Sequence, residues 1–133
     1  MAGAVPVILC DTNILIEFYK NNPAIVQALR AIGPSALAVS VVTQAELYFG
    51  ALNKRELSSI RRHLALIRCI PLDGAISGRF VELMETYSLS HGLAIPDALI
   101  AATALVHSLE LYTLNTKDFR FIAGLGLYMP NTH

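Results

Sequence analysis

Asp11, Glu46, Asp97 and Asp118 are far apart in the sequence, yet each lies at a strand end or in a helix that follows one. Asp11 closes the apolar run Val5 to Cys10. Glu46 is expected in the first turn of a helix after the β-branched run Leu37 to Ser40. Asp97 follows Pro96 at the start of an apolar helix, and Asp118 comes just after Leu111 to Leu114. In a parallel α/β sheet such positions gather on one edge, where sites in open sheets usually form. Four carboxylates in one cleft repel each other, which raises their pKa values unless a cation neutralises them. No His or Cys joins the set at ligand spacing, so an all-oxygen pocket favours Mg²⁺ or Mn²⁺ over zinc. Taken singly, three of the acids also have a capping explanation. Asp11 can cap the helix containing Ile14 to Tyr19, Asp97 can complement a helix dipole, and Asp118 can cap a turn at Phe119. Glu46, between Ala45 and Leu47, is harder to explain as structure alone, because an unpaired carboxylate there costs several kcal/mol.

The elements that would position these acids can be read from periodicity. Val5 to Cys10 and Leu37 to Ser40 are short apolar runs without alternation, as in strands covered on both faces. Asn22-Pro23 begins a helix carrying Ile25, Val26 and Leu29, which Gly33-Pro34 stops. Thr43 to Gly50 is the next helix, and Leu57, Ile60, Leu64 and Ile67 share a face of another. Ile70 to Leu72 reads as a brief extended segment. Asp73 caps a long helix through Tyr87, which Gly92 closes, and Ala98 to Val106 is apolar all round and therefore central. Leu111 to Leu114 and Leu127 to Met129 complete the strands. The expected fold is an α/β three-layer sandwich, with a mainly parallel sheet of about four or five strands between helical layers. One domain spanning residues 1–133 accounts for the length.

Composition narrows the function. Ten Lys and Arg balance ten Asp and Glu, and the pI near 6.9 argues against a binder that holds nucleic acid by bulk charge. Any nucleic-acid contact must then be local. With 54% hydrophobic and 15% charged residues the chain should fold and keep an apolar patch for self-association or a protein partner. The uncharged runs Ala31 to Ala45 and Phe121 to His133 fall short of the roughly 18 apolar residues of a spanning helix, so no membrane role is expected. The first ten residues lack a basic n-region and read as a strand and not a signal peptide. Cys10 and Cys69, widely separated, suit reduced thiols in a cytoplasmic protein. His63, His91, His107 and His133 are isolated or terminal and receive no catalytic role.

Four segments then resemble, in order and spacing, the PIN-domain ribonucleases, most closely the toxin subunits of VapBC toxin–antitoxin pairs. They are Ile8-Leu-Cys-Asp-Thr-Asn-Ile-Leu-Ile16, Ser40-Val-Val-Thr-Gln-Ala-Glu-Leu-Tyr-Phe-Gly-Ala51, Ile95-Pro-Asp-Ala-Leu-Ile-Ala-Ala102 and Thr113-Leu-Asn-Thr-Lys-Asp-Phe119. The resemblance spans nearly the whole chain. It implies a Mg²⁺- or Mn²⁺-dependent endoribonuclease with Asp11, Glu46 and Asp97 as the acidic core, leaving a 5′-phosphate and a 3′-hydroxyl. The fourth position falls on Asp118 or Asn115, with Asp118 preferred. Thr12 and Asn13 match a hydroxyl and an amide that orient the acids, and Thr43 is similarly placed. It also implies a homodimer and a VapB-like antitoxin that wraps the toxin into a hetero-oligomer and can place a basic side chain in the cleft.

An RNA substrate would be held by local cations. Lys117 and Arg120 flank Asp118, while Lys54, Arg55, Arg61 and Arg62 cluster around one helix and are also compatible with a solvated face. Setting aside the four candidate ligands leaves six acids against ten bases, a formal +4, so the neutral total joins two unlike regions. Two other readings belong to different classes. One is a non-catalytic PIN-like RNA- or protein-binding module. The other is a phosphoaspartate hydrolase built on Asp11, disfavoured because Asn13 stands where its second acid is usual.

Overall fold

A computed structural model describes residues 6–130. Its sheet has four strands, β1 (Ile8–Cys10), β2 (Leu37–Ser40), β3 (Arg68–Ile70) and β4 (Glu110–Tyr112), in the order β3-β2-β1-β4 with every pairing parallel. The helices are α1 (Thr12–Tyr19), α2 (Pro23–Ile32), α3 (Val41–Phe49), α4 (Lys54–Leu64), α5 (Gly74–His91) and α6 (Ile95–Val106). Short 3₁₀ turns occupy Pro34–Ala36 and Thr116–Asp118.

Strand alternation sorts the core into two halves. Leu9, Ala38 and Leu111 pack with α5, α6, Phe119 and Ile122, while Ile8, Cys10, Leu37, Val39 and Tyr112 pack with α1 to α4. The sheet is thus buried on both faces, the expected sandwich, which explains why its strands read as unbroken apolar runs. Alanines 98, 101, 102 and 104 let the central helix α6 pack closely, and its buried Thr103 satisfies its hydroxyl on the Leu99 carbonyl at 2.8 Å. Among the described residues, no helix is long and apolar enough to cross a membrane.

Several boundaries differ from the sequence reading. Helix α3 begins at Val41 because the buried Ser40 hydroxyl accepts from Val42 N–H (2.9 Å) and Thr43 N–H (3.4 Å), so Glu46 lies in the second turn and not the first. Helix α4 ends at Leu64, leaving the buried Ile67 in the connection, and β3 runs through Arg68–Ile70, ahead of the expected extended segment. The last expected strand reduces to a single parallel bridge between Leu111 and Leu127. Asn22 occupies the N-cap position of α2, but its amide donates to Glu17 (3.1 Å) and makes no cap bond. Val5, the first residue expected in strand one, lies outside the described residues.

Candidate active site

The β1 ladder carries its order one residue beyond the strand, since Asp11 N–H donates to the Tyr112 carbonyl at 2.9 Å. That parallel register sets Asp11 beside Thr113, and both are buried. The Thr113 hydroxyl donates to Asp11 Oδ2 at 2.8 Å, the Asn13 amide donates to the same oxygen at 3.3 Å, and Thr12 N–H donates to Oδ1 at 2.8 Å. Asn13 also accepts from Leu114 N–H through its Oδ1 (3.2 Å), and Thr113 Oγ1 accepts from Asn115 N–H (3.0 Å). Asp11 therefore caps α1 and is locked from both sides; its capping and site roles coexist.

A second network joins α1 to α3. The Thr12 hydroxyl donates to Glu46 Oε1 at 2.6 Å and shares a 3.0 Å hydrogen bond with the buried Thr43 hydroxyl. Thr43 and Glu46 are three residues apart on one helix face, which lets a single hydroxyl meet both. Asp97 is the third residue of α6 and half-buried, while Asp118 closes the second 3₁₀ turn and is exposed.

These carboxylates stand within range of each other's charge. Burial raises the Asp97 pKa to about 6, helped by the charges of Asp11, Asp118 and Glu46. Burial also raises that of Asp11, with smaller contributions from Glu46 and Asp118; the hydrogen bonds from Thr113 and Thr12 oppose the shift. Neither ion pair found among the described residues, Lys20 with Glu17 and Arg79 with Glu82, involves any of the four acids. Among the described residues, then, no cation pairs with the cluster.

Comparison with known proteins gives this arrangement its context. The family model described as PIN domain matches residues 8–125. The chain belongs to the PIN-domain family. Ribonuclease VapC10 of Mycobacterium tuberculosis is 38% identical over 116 residues, covering 84% of this chain and 85% of that protein. The tRNA(fMet)-specific endonuclease VapC of Shigella flexneri is 29% identical, covering 88% and 92%. A solved toxin–antitoxin complex from Klebsiella pneumoniae contains a chain 38% identical to this one, with a TM-score of 0.78 and coverage of 93% and 98%. This PIN domain is therefore of the VapC type.

The donor chemistry of the PIN-domain cleft fits a hard divalent cation, because it offers carboxylate, hydroxyl and amide oxygens, and among the described residues no cation pairs with the carboxylates. Among the described residues no three His, Cys, Asp and Glu side chains form a ready-made metal-holding group. Asp118 is exposed and Asp97 half-buried, and neither carboxylate has a hydrogen-bond partner among the described residues, whereas Asp11 is fixed and Glu46 is held through one oxygen.

The remaining sequence candidates separate into near and far. The Asn115 side chain makes no hydrogen bond with the acids, although its backbone braces Thr113. Lys117 and Arg120 are exposed on either side of Asp118. Lys54 and Arg55 begin α4, and Arg61 and Arg62, seven residues on and so on the same side of the helix, lie in its last turn. Thr113 was missed as a site residue, because the expected strand Leu111 to Leu114 placed it inside the strand, whereas β4 ends at Tyr112 and leaves Thr113 just beyond it. Also unanticipated is a groove of about 770 Å³ whose lining includes Ile16, Leu52 and Ile60, the cations Lys20 and Arg30, and Glu46 of the acidic set. His63, given no catalytic role, belongs to this groove. It stacks on Phe18 with ring centroids 5.0 Å apart, bonds the Tyr19 hydroxyl at 2.8 Å, and burial lowers its pKa.

Proposed function

We propose that this VapC-type PIN domain is a Mg²⁺- or Mn²⁺-dependent endoribonuclease and the toxin of a toxin–antitoxin pair. The observation that carries the reading is the carboxylate group around Asp11, paired with no cation among the described residues, on the C-terminal side of the parallel sheet. Its VapC relatives, named as a ribonuclease and as a tRNA-specific endonuclease, support the reaction class.

In this mechanism Asp11, Glu46, Asp97 and Asp118 hold the cation, with Asn115 the other candidate for the fourth position. When bound, such an ion lowers the pKa of a coordinated water and stabilises charge on the scissile phosphate. The protein's own part is orientation. Thr113, Asn13 and Thr12 N–H fix both Asp11 oxygens, so this ligand spends no rotamer freedom when charge arrives. The Thr12 hydroxyl, backed by Thr43, does the same for one Glu46 oxygen. Lys117 and Arg120, beside Asp118, supply phosphate contacts close to the chemistry, and the α4 cations extend the basic surround. Products carry a 5′-phosphate and a 3′-hydroxyl.

The partner is a VapB-like antitoxin, consistent with the Klebsiella pneumoniae complex. The groove suits it: exposed Leu52 and Ile16 offer apolar seats, and Glu46 at its wall lets a basic side chain reach the acidic cleft. The working molecule is a cytoplasmic homodimer that assembles with antitoxin into a hetero-oligomer.

The test is incubation of purified protein with total RNA and with tRNA in Mg²⁺ or Mn²⁺, repeated with chelator and with Asp11→Asn and Asp97→Asn. Cleavage should require the metal and both acids. Cleavage unchanged in both variants overturns the assignment, and RNA binding without turnover under every condition establishes the binding-module alternative.

A further inference from the structure

We infer that Tyr87, His91 and Phe121 form an aromatic clamp that positions the Asp118-bearing segment against the end of α5, an assignment resting on the ribonuclease reading above. The Phe121 and His91 rings stack with centroids 4.2 Å apart and an interplanar angle of 10°. Tyr87 meets Phe121 edge-on at 5.2 Å and His91 at 5.6 Å. Its hydroxyl accepts from Ala123 N–H at 3.0 Å, and Ser90 Oγ holds His91 Nδ1 at 2.8 Å.

What makes this more than surface packing is what hangs from each side. Beyond β4, the backbone bonds within 115–125 are local turns such as Asp118 N–H to Asn115 O and Ile122 N–H to Phe119 O. No strand ladder fixes this stretch, so side chains must place it. Phe119 and Ile122 anchor it in the core, and the clamp fixes its direction three residues beyond Asp118. On the other side, α5 ends at His91. Gly92, with a left-handed φ of 63°, turns the chain to buried Leu93 and on to α6, whose third residue is Asp97. One junction thus relates the supports of two proposed metal-holding acids. Tyr87 and His91 are positioning residues and touch no reacting atom.

The test uses the full chain with Mn²⁺ and a single-stranded RNA oligonucleotide. It compares wild type with Tyr87→Phe, His91→Ala and His91→Phe, following kcat and KM together with amide hydrogen exchange over 114–123. Tyr87→Phe and His91→Ala should lower kcat about ten-fold with little change in KM, since small misplacements of catalytic groups carry such costs. Exchange over 114–123 should quicken in both, and His91→Phe, which keeps the stack, should restore most of kcat. Unchanged kcat overturns the inference whatever happens to thermal stability, as does a kcat loss without faster exchange in that segment. If wild type cleaves no RNA, the functional reading fails on its own. Exchange then decides whether the clamp holds the segment: faster in Tyr87→Phe supports it, unchanged overturns it.

Discussion

Thr113 gives the residue scale its sharpest test. Its hydroxyl stabilises the charged form of Asp11, so Thr113→Val, which keeps the shape and loses the donor, should push the Asp11 pKa further up. The acid limb of the pH–rate profile should move to higher pH, and Thr113→Ser should restore it. Asp97 supports a stability prediction whose sign follows from linkage. Its folded-state pKa, about 6, exceeds the ordinary carboxyl value of 3.8, so between these values the folded state binds more protons than the unfolded one and stability falls as pH rises. Without metal, Asp97→Asn should therefore melt above wild type at pH 7. The gap should narrow as pH drops through 6, as read by thermal unfolding at several pH values. The acids were legible in the sequence because each stands at a strand end or in a helix that follows one, places that a parallel sheet brings to one edge. Thr113 was not, because threonine is at home in any strand and its role depends on a partner 102 positions away.

At the scale of elements, Ser40 decides where Glu46 points. Its buried hydroxyl starts α3 at Val41, which brings Thr43 and Glu46 together onto Thr12. Ser40→Ala should cost about 1 kcal/mol in denaturant unfolding and lower kcat more than that loss of folded protein explains. The start was misplaced in the sequence because Val41 and Val42 are β-branched and look like strand, while a cap is a side-chain geometry. Strands β1 and β2 were legible as unbroken apolar runs between turn residues. The bridge at Leu127 was overread as a strand because apolar runs do not reveal whether a neighbour is available to pair. Likewise α4 stops short of Ile67, which keeps helical spacing by coincidence and is buried from the connection.

For the whole molecule, the half of the core built on α1 to α4 carries a large groove that reaches Glu46 of the acidic set. Leu52 is 86% exposed there, so replacing it should not disturb the fold. Leu52→Asp should weaken antitoxin binding by calorimetry while RNA cleavage by the free protein stays near wild type. Equal binding would move the partner elsewhere. The apolar composition pointed to such a surface, but locating it required knowing which hydrophobic side chains the folded core leaves uncovered.

The pairing of β1 with β4 also sets a clock. Asp11 leaves the ribosome 102 residues ahead of Thr113, a lag of roughly 5–20 s at ordinary rates of synthesis, and β4 comes only just before Thr113. Until then the nascent chain carries the first acid with neither its neighbouring strand nor its hydroxyl donor. The Asp11 side of the cleft is thereby incomplete until β4 and Thr113 have been made.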